Sequence, residues 1–538
     1  MSTADRRLLA REAAISTALA ASLAALLLWA MPPGVDWAAH AYQVRFMLEH
    51  GFAIWNNFWY AGRYSFVTYS LIYYPLAALL GIRVLALASI ATAAFAFTLV
   101  VLRQWGPTAK PASRTFAVLW VGIVASAAFP FALAIAFALL AIRALQEQRQ
   151  RAFAVCAILT LAASPLAFLL LAVAATGALL SRRSLRHIGI PVAVIAAAGG
   201  FELLLYRLFG DGGRFPFNVQ QFVPALIFCA LGLVVTRGIP AARPLFGLFL
   251  VYLGAVILTY VVPSEIGSNI DRIRYVALPL ALVACALRSW RPLWLVVPVI
   301  ALAGIWNTTQ IASSFATSTG DSESSIGYWQ PALNYLKLHL SPSFRVEAVD
   351  TVEHWPAAYL PDAGIPIVRG WFRQSDFPQN ELLYDHSLRP STYDRWLRSE
   401  GVRYVVLSDA KPDYSAQLEA RLVRGKNSGL VEVFRSKHVA VYELPHATPI
   451  VTGPAPASIA WLFPTRAVLD VDAPGTYRVA FRWNPYWHAS TGCVAKGKDG
   501  MLRLTTPRAG LIDLATTMSS HRLLDALAGI TPDGSCRS

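Results

Sequence analysis

Asp36 and His40 stand four residues apart in the run Val35-Asp36-Trp37-Ala38-Ala39-His40-Ala41-Tyr42-Gln43-Val44-Arg45. On a helix that spacing puts a carboxylate and an imidazole on one face. Such a pair can take up a proton, orient a phosphate leaving group, or hold a divalent cation through the carboxylate. Asp36 also fits a plainer role, because Asp ahead of an amphipathic stretch caps a helix N-terminus. His40 fits equally as an interfacial polar residue. An aromatic loop follows, Trp55-Asn56-Asn57-Phe58-Trp59-Tyr60-Ala61-Gly62-Arg63-Tyr64. It reads either as an interfacial aromatic belt or as a docking face for a sugar or a polyprenyl chain. Tyr60 in this loop and Arg45 before it are candidate substrate-binding residues, together with Glu265, Arg272 and Arg274 further along the chain.

These residues follow an apolar run at 13–31, with Arg6, Arg7 and Arg11 in front of it. The run is longer than a signal-peptide core and lacks a small-x-small site, so it reads as an uncleaved first membrane span. The composition agrees. The 538 residues are 56% hydrophobic and 14% charged, too apolar for an ordinary soluble protein. Long apolar runs continue to about residue 311. The small polar stretch around 312–320 then reads as a linker into a water-soluble domain, giving a transmembrane domain at 1–311 and a soluble one at 312–538.

The net charge of +15 raises nucleic acid as a partner, and its location argues against it. Residues 312–538 hold 23 Lys/Arg and 22 Asp/Glu, whereas residues 1–311 hold 23 and 9. Most basic residues of the first part fall in six patches: Arg6/Arg7/Arg11, Arg103/Lys110/Arg114, Arg143/Arg149/Arg151, Arg182/Arg183/Arg186, Arg237/Arg243 and Arg288/Arg291. Alternation of basic patches with bare stretches is the positive-inside pattern of a multi-pass membrane protein. It places the N-terminus in the cytoplasm.

The spans then follow. Residues 13–31 run outward, 65–80 form an interfacial helix in a long first outer loop, and 83–102 return inward. The stretches between Arg114 and Arg143 and between Arg151 and Arg182 are too short for two full spans each, yet end in basic patches on both sides. With breakers at Phe129-Pro130-Phe131 and Ser164-Pro165, they read as hairpins of short helices. Further spans at about 187–208, 219–236, 244–262, 274–290 and 292–311 give about 11 transmembrane helices and an exterior C-terminal domain.

That domain reads as mixed α/β with a β-sandwich-like end. A short helix at 393–401 precedes a buried strand at 402–407, a hairpin spans 431–444, and alternating segments follow from Thr465. The last 18 or so residues look loosely ordered. Cys493 and Cys536 are able to pair if the domain lies outside the cell, whereas Cys156, Cys229 and Cys285 sit in apolar runs. Neither a Cys/His zinc pattern nor a P-loop, HExxH or GxGxxG signature is present.

Charged residues near the outer ends of spans are costly unless paired or facing a cavity. Glu202, Arg207, Glu265, Asp271, Arg272 and Arg274 qualify. Arg272 and Arg274 follow a turn that includes Glu265 and read either as a phosphate clamp or as snorkelling side chains. Asp350-Thr351-Val352-Glu353-His354 hints at metal but is more simply loop polarity.

The assembled pattern resembles the GT-C superfamily of membrane glycosyltransferases. The carrying residues are Asp36-x-x-x-His40, then Trp55-Asn56-Asn57-Phe58-Trp59-Tyr60-Ala61-Gly62, then Tyr73-Tyr74-Pro75-Leu76. With Ser164-Pro165-Leu166-Ala167 the run looks like bacterial membrane proteins labelled 6-pyruvoyl-tetrahydropterin synthase-related. So do Tyr393-Asp394-Arg395-Trp396-Leu397 and Asn484-Pro485-Tyr486-Trp487-His488. The resemblance implies transfer of a sugar from a polyprenyl-phosphate donor to a cell-envelope glycan or protein acceptor, on the outer face of the plasma membrane. It implies Asp36 as the first-loop catalytic or metal-binding carboxylate, with Mg or Mn as the cation. The sequence departs from many GT-C members in having one acid there rather than two. The alternative is therefore a non-catalytic envelope scaffold or lipid-handling protein with a degenerate site.

Overall fold

A computed structural model describes residues 3–181, 189–210, 212–318, 322–386, 388–425, 427–529 and 536. The basic patch Arg182/Arg183/Arg186 lies outside these residues. The chain forms two compact units that do not follow it linearly. A helical unit comprises Met1–Val35, Thr68–Leu204 and Arg214–Thr319, and a strand-bearing unit comprises Asp36–Val67, Leu205–Gly213 and Gly320–Ser538. The loop that carries Asp36 thus packs with the C-terminal part of the chain.

Among the described residues, seven helical stretches are long and apolar enough to cross a membrane: Asp5–Ala30, Ile82–Ser126, Phe129–Gln146, Gly189–Phe209, Val219–Thr236, Pro240–Val261 and Leu293–Ala316. Two shorter apolar helices, Gln150–Ala163 and Pro165–Leu180, make the second expected hairpin. Both hairpin breaks fall at the expected breakers. Ala127 turns left-handed (φ 54°) just before the helix that starts at Phe129. Ser164 caps the helix of Pro165 by accepting from Ala167 N. Ile82–Ser126 is itself interrupted by a 3-10 turn at Gly106–Ala109, where Gly106 has φ 59°.

Two expectations are revised here. The span expected at 274–290 is a 3-10 segment, Gly267–Val276, followed by the helix Ala277–Leu287. Irregular backbone among apolar helices needs its carbonyls satisfied from elsewhere. Tyr252 donates to Ile270 O at 3.0 Å and Asn307 Nδ2 to Arg274 O at 2.9 Å. The stretch expected as a linker continues as helix to Ser318.

The strand-bearing unit has one mixed sheet and a sandwich. The mixed sheet consists of β1 (Arg345–Ala348), β2 (Val402–Ser408), β3 (Val431–Arg435) and β4 (Val439–Glu443), in the order β1-β2-β4-β3. Only β1 and β2 are parallel, which fits the near-continuous burial of both. The sandwich stacks β10-β11-β8-β5 and β6-β7-β12-β9. Its strands are β5 (Val451–Thr452), β6 (Ala457–Leu462), β7 (Arg466–Val471), β8 (Gly475–Arg482), β9 (Trp487–Ala489), β10 (Cys493–Lys496), β11 (Met501–Thr506) and β12 (Gly510–Thr516). Inward residues such as Leu469, Phe481, Leu502 and Leu514 fill the core between them.

Cys493 and Cys536 are disulfide-bonded. Near the chain end, where loose order was expected, Ser520–Ala528 is a helix capped by the Ser519 hydroxyl; residues 530–535, 537 and 538 lie outside the described residues.

Candidate functional site

Asp36 precedes the helix Trp37–His50 in the N-cap position, yet its side chain makes no capping bond. Its Oδ1 instead accepts from Trp371 Nε1 at 2.7 Å. On the other side of the same oxygen stands His354 Nε2, at 4.0 Å. Asp36 Oδ2 has no hydrogen-bond partner among the described residues, and the side chain keeps 22% of its exposure. The carboxylate is thus held through one oxygen and open at the other. His40 joins the same group: fully buried, its ring meets Trp371 edge-on at 5.4 Å.

Behind His354 lies a buried ionic chain. His354 Nδ1 donates to Asp350 Oδ2 at 2.8 Å, which leaves Nε2 to face Asp36. Asp350 is also paired with Arg373, which reaches Asp413 Oδ2 at 3.1 Å. Burial alone would raise the Asp350 carboxyl, but His354 and Arg373 override it and hold it well below the usual carboxylate range. Burial pulls the His354 imidazolium down, and Asp350 outweighs that and holds its pKa above the ordinary histidine value. His354 has a left-handed backbone (φ 60°), a conformation costly for a non-glycine residue and common where surrounding structure fixes a side chain for a task.

Four residues before Arg373, Arg369 repeats the pattern. It reaches Glu347 at 3.2 Å, Glu419 at 3.5 Å and Asp376 at 3.6 Å, all fully buried. Burial raises Glu347 well above the ordinary glutamate value, and the neighbouring Glu419 charge adds to it. Tyr393 and Tyr384 donate to Glu419 and Asp376 at 2.7 and 2.6 Å.

The segment Arg369-Gly370-Trp371-Phe372-Arg373 is locked to the first loop by close packing. A Cβ on Gly370 would sit 2.7 Å from the Trp59 ring, so glycine lets the Trp59 indole lie against this backbone. Tyr60 donates its hydroxyl to Gly370 O at 2.9 Å, Trp59 Nε1 donates to Ala357 O at 2.9 Å, and Ile367 N donates to Phe58 O at 3.0 Å. This corrects the reading of the aromatic loop. Trp55, Phe58, Trp59, Tyr60 and Tyr64 are buried, and form neither a lipid-facing belt nor a docking face. Tyr60, buried, spends its hydroxyl on bracing the loop. Arg45 Nη1 is paired with Asp362 Oδ2 at 2.5 Å, where burial raises the Asp362 carboxyl to about 6 against the pull of Arg45.

In the helical unit the two expected clamp arginines part. Arg274 is paired with Asp271 and its guanidinium lies 5.5 Å from the Trp306 ring centre. Arg272 has no carboxylate partner among the described residues. It bonds the Asn269 amide oxygen at 3.2 Å, lies 5.0 Å over the Phe131 ring, and lines a cavity of about 540 Å³. The rest of that lining is mostly apolar, including Trp120, Phe116, Phe97 and Leu280. Glu265 is half-buried in the preceding turn and does not line the cavity.

A divalent cation at Asp36 was expected from the family resemblance. Such an ion takes several oxygen ligands. Among the described residues no group of three or more His, Cys, Asp or Glu is gathered for a metal, and the neighbour on Asp36 Oδ1 is an N–H donor. This side-chain set does not fit the ion.

Trp371 and His354 were missed as partners of Asp36, and Asp350 and Arg373 as the groups behind His354. The signal available was the spacing of Asp350 and His354, together with Arg369 and Arg373 in an otherwise apolar and aromatic context.

No protein-family model matches this sequence, and no curated protein sequence does. Among solved structures the chain is similar to the arabinofuranosyltransferase AftD from Mycobacteria, at TM-score 0.44 and 16% identity over 88% of this chain and 41% of AftD. A structure of an AftD mutant gives TM-score 0.45 and 14% identity over 97% of this chain and 60% of that one. The archaeal oligosaccharyltransferase AglB from Archaeoglobus fulgidus, solved with an inhibitory peptide and a dolichol-phosphate, gives TM-score 0.36 and 13% identity over 75% and 70%. The chain thus spans less than two thirds of the AftD chains.

Proposed function

We propose that this protein is a membrane glycosyltransferase that moves a sugar from a polyprenyl-phosphate donor to a cell-envelope acceptor outside the cytoplasm. The observation that carries the reading is Asp36. One carboxylate oxygen is fixed by an indole N–H and flanked by a histidine, and the other is open. That is the arrangement of a general base pre-oriented for an acceptor hydroxyl. His354, backed by Asp350, flanks the fixed oxygen and leaves the other one clear for an acceptor.

The donor side draws on the helical unit. Arg272 heads an apolar cavity whose volume lies in the range of ligand pockets. A phosphate on the guanidinium and an isoprenoid chain along the apolar lining suit its two chemistries. In this reading the N-terminus is cytoplasmic, the strand-bearing unit is extracytoplasmic, and the membrane is the plasma membrane. The disulfide supports an oxidising compartment for the latter unit.

Asp36→Asn tests the assignment. The amide retains the shape and still accepts from Trp371, but cannot take a proton. Transfer from a polyprenyl-phosphate sugar should fall by about two to four orders of magnitude with protein level and melting temperature near wild type. Undiminished transfer would leave Asp36 a structural residue.

A further inference from the structure

The outer face of the β6-β7-β12-β9 sheet presents an indole where the strand pattern alone would bury it. β6 and β7 pair Ile459 with Leu469, both buried, and then pair Trp461 with Val468, so Ala460 is skipped. Strict alternation from Ile459 would send Trp461 into the core. The bulge re-aims it outward, where it is 54% exposed.

Across the sheet, beyond one valine, the face turns polar. Trp461 lies opposite Val468, which lies opposite Asp513. Arg466 Nη1 stands 3.7 Å from Asp513 Oδ2, and its guanidinium lies 4.8 Å over the Phe463 ring. His488, opposite Ala515, is exposed on the same face. The row thus sets a flat aromatic surface beside a carboxylate, a guanidinium and an imidazole.

That combination selects one ligand chemistry. A sugar ring offers a C–H face, which is attracted to the negative face of an indole, and an edge of hydroxyls, which both donate to Asp513 and accept from Arg466. A bilayer surface calls for contiguous apolar residues without an acid among them.

The platform is also joined to the first loop. Asn57 N donates to Pro464 O at 2.7 Å and Asn57 Nδ2 to Phe463 O at 3.2 Å, so the tip of the β6–β7 hairpin is clasped by the loop that continues to Trp59. Building on the transfer reading above, we propose that Trp461, Arg466 and Asp513 form a binding platform for a glycan chain. It holds an already glycosylated acceptor by a sugar unit away from the one that reacts.

The test uses the purified full-length protein in detergent, titrated with arabinan, galactan and mannan hexasaccharides as probes. At least one should bind wild type. Trp461→Ala should weaken that binding about tenfold, and Trp461→Phe should recover most of it, with unchanged melting temperatures. Asp36→Asn should bind as wild type does, which separates this platform from the catalytic reading: glycan binding without any transfer would sink the latter and leave the platform standing. Absence of binding by wild type overturns the platform. Equal binding by wild type and Trp461→Ala does so too, as does a Trp461→Ala effect confined to association with phosphatidylglycerol vesicles.

Discussion

The indole N–H of Trp371 donates to Asp36 Oδ1 at 2.7 Å, across 335 residues of sequence, and takes that carboxylate away from the helix it begins. Replacing Trp371 by Phe fills most of the space, since the residue is buried, but deletes the donor. A hydrogen bond to a charged group contributes about 1.5–3 kcal/mol. If it orients the base, kcat should fall by roughly ten- to a hundredfold while KM changes little. A steady-state comparison at saturating donor separates the two constants. A rise in KM alone would show that the indole serves substrate binding instead.

His354 and Asp350 give the strand-bearing unit a pH signature. His354 has a raised pKa in the folded state, so its contribution is complete below about pH 6.5 and is lost as pH rises through the folded value. Asp350 has a lowered one, so its contribution is complete above about pH 3.9 and is lost as pH falls through the folded value. The pair therefore stabilises most between those limits. Melting temperatures of wild type and His354→Gln, measured from pH 5 upward, should converge on the alkaline side. A constant gap across that range would mean that His354 stabilises by packing alone.

Arg373 is the charge on which Asp350 and Asp413 both depend. Replacing it by Leu leaves Asp350 with His354 and Asp413 with Ser415 but removes the guanidinium shared by both buried carboxylates, and breaking a buried pair in this way costs about 3–5 kcal/mol. Arg373→Lys should recover little, because an ammonium cannot reach two carboxylates and the Gly370 carbonyl, which Arg373 Nη1 meets at 3.2 Å. Denaturant titration of both variants reads the loss. A loss below about 1 kcal/mol in Arg373→Leu would mean that water enters and solvates the two acids.

The helical half was legible because apolar run length and basic patches report spans directly, and both hairpin breaks fall at Phe129-Pro130 and Ser164-Pro165. The 3-10 segment at Gly267–Val276 was not, since the bonds from Tyr252 and Asn307 that sustain it come from distant helices. Asp36 could be singled out from its place after the first apolar run. Its partners could not, because His354 and Trp371 are brought to it by tertiary packing. The aromatic loop misled for a related reason: Trp59 and Tyr60 look amphipathic in sequence, and only the backbone carbonyls of Ala357 and Gly370 reveal that they are core. Trp461 was invisible because a bulge, not a periodicity, sets its direction.

Arg272 and Arg274 look equivalent in sequence, and the structure gives them different work. Arg274 already neutralises Asp271. Arg272 has only the neutral Asn269 amide and the Phe131 ring, at the lining of the apolar cavity. A lipid phosphate would therefore draw on Arg272. Arg272→Gln should weaken polyprenyl-phosphate donor binding by more than about tenfold, the equivalent of one charge-assisted contact, with little change in melting temperature. Arg274→Gln should do the reverse, leaving donor affinity near wild type and lowering stability, because Asp271 loses its partner in a half-buried site. Titrating the donor against each purified single variant in detergent, beside a thermal melt of each, reads both effects at once. Equal losses of affinity in the two variants would restore the paired clamp, and no loss in either would place the donor phosphate away from this segment.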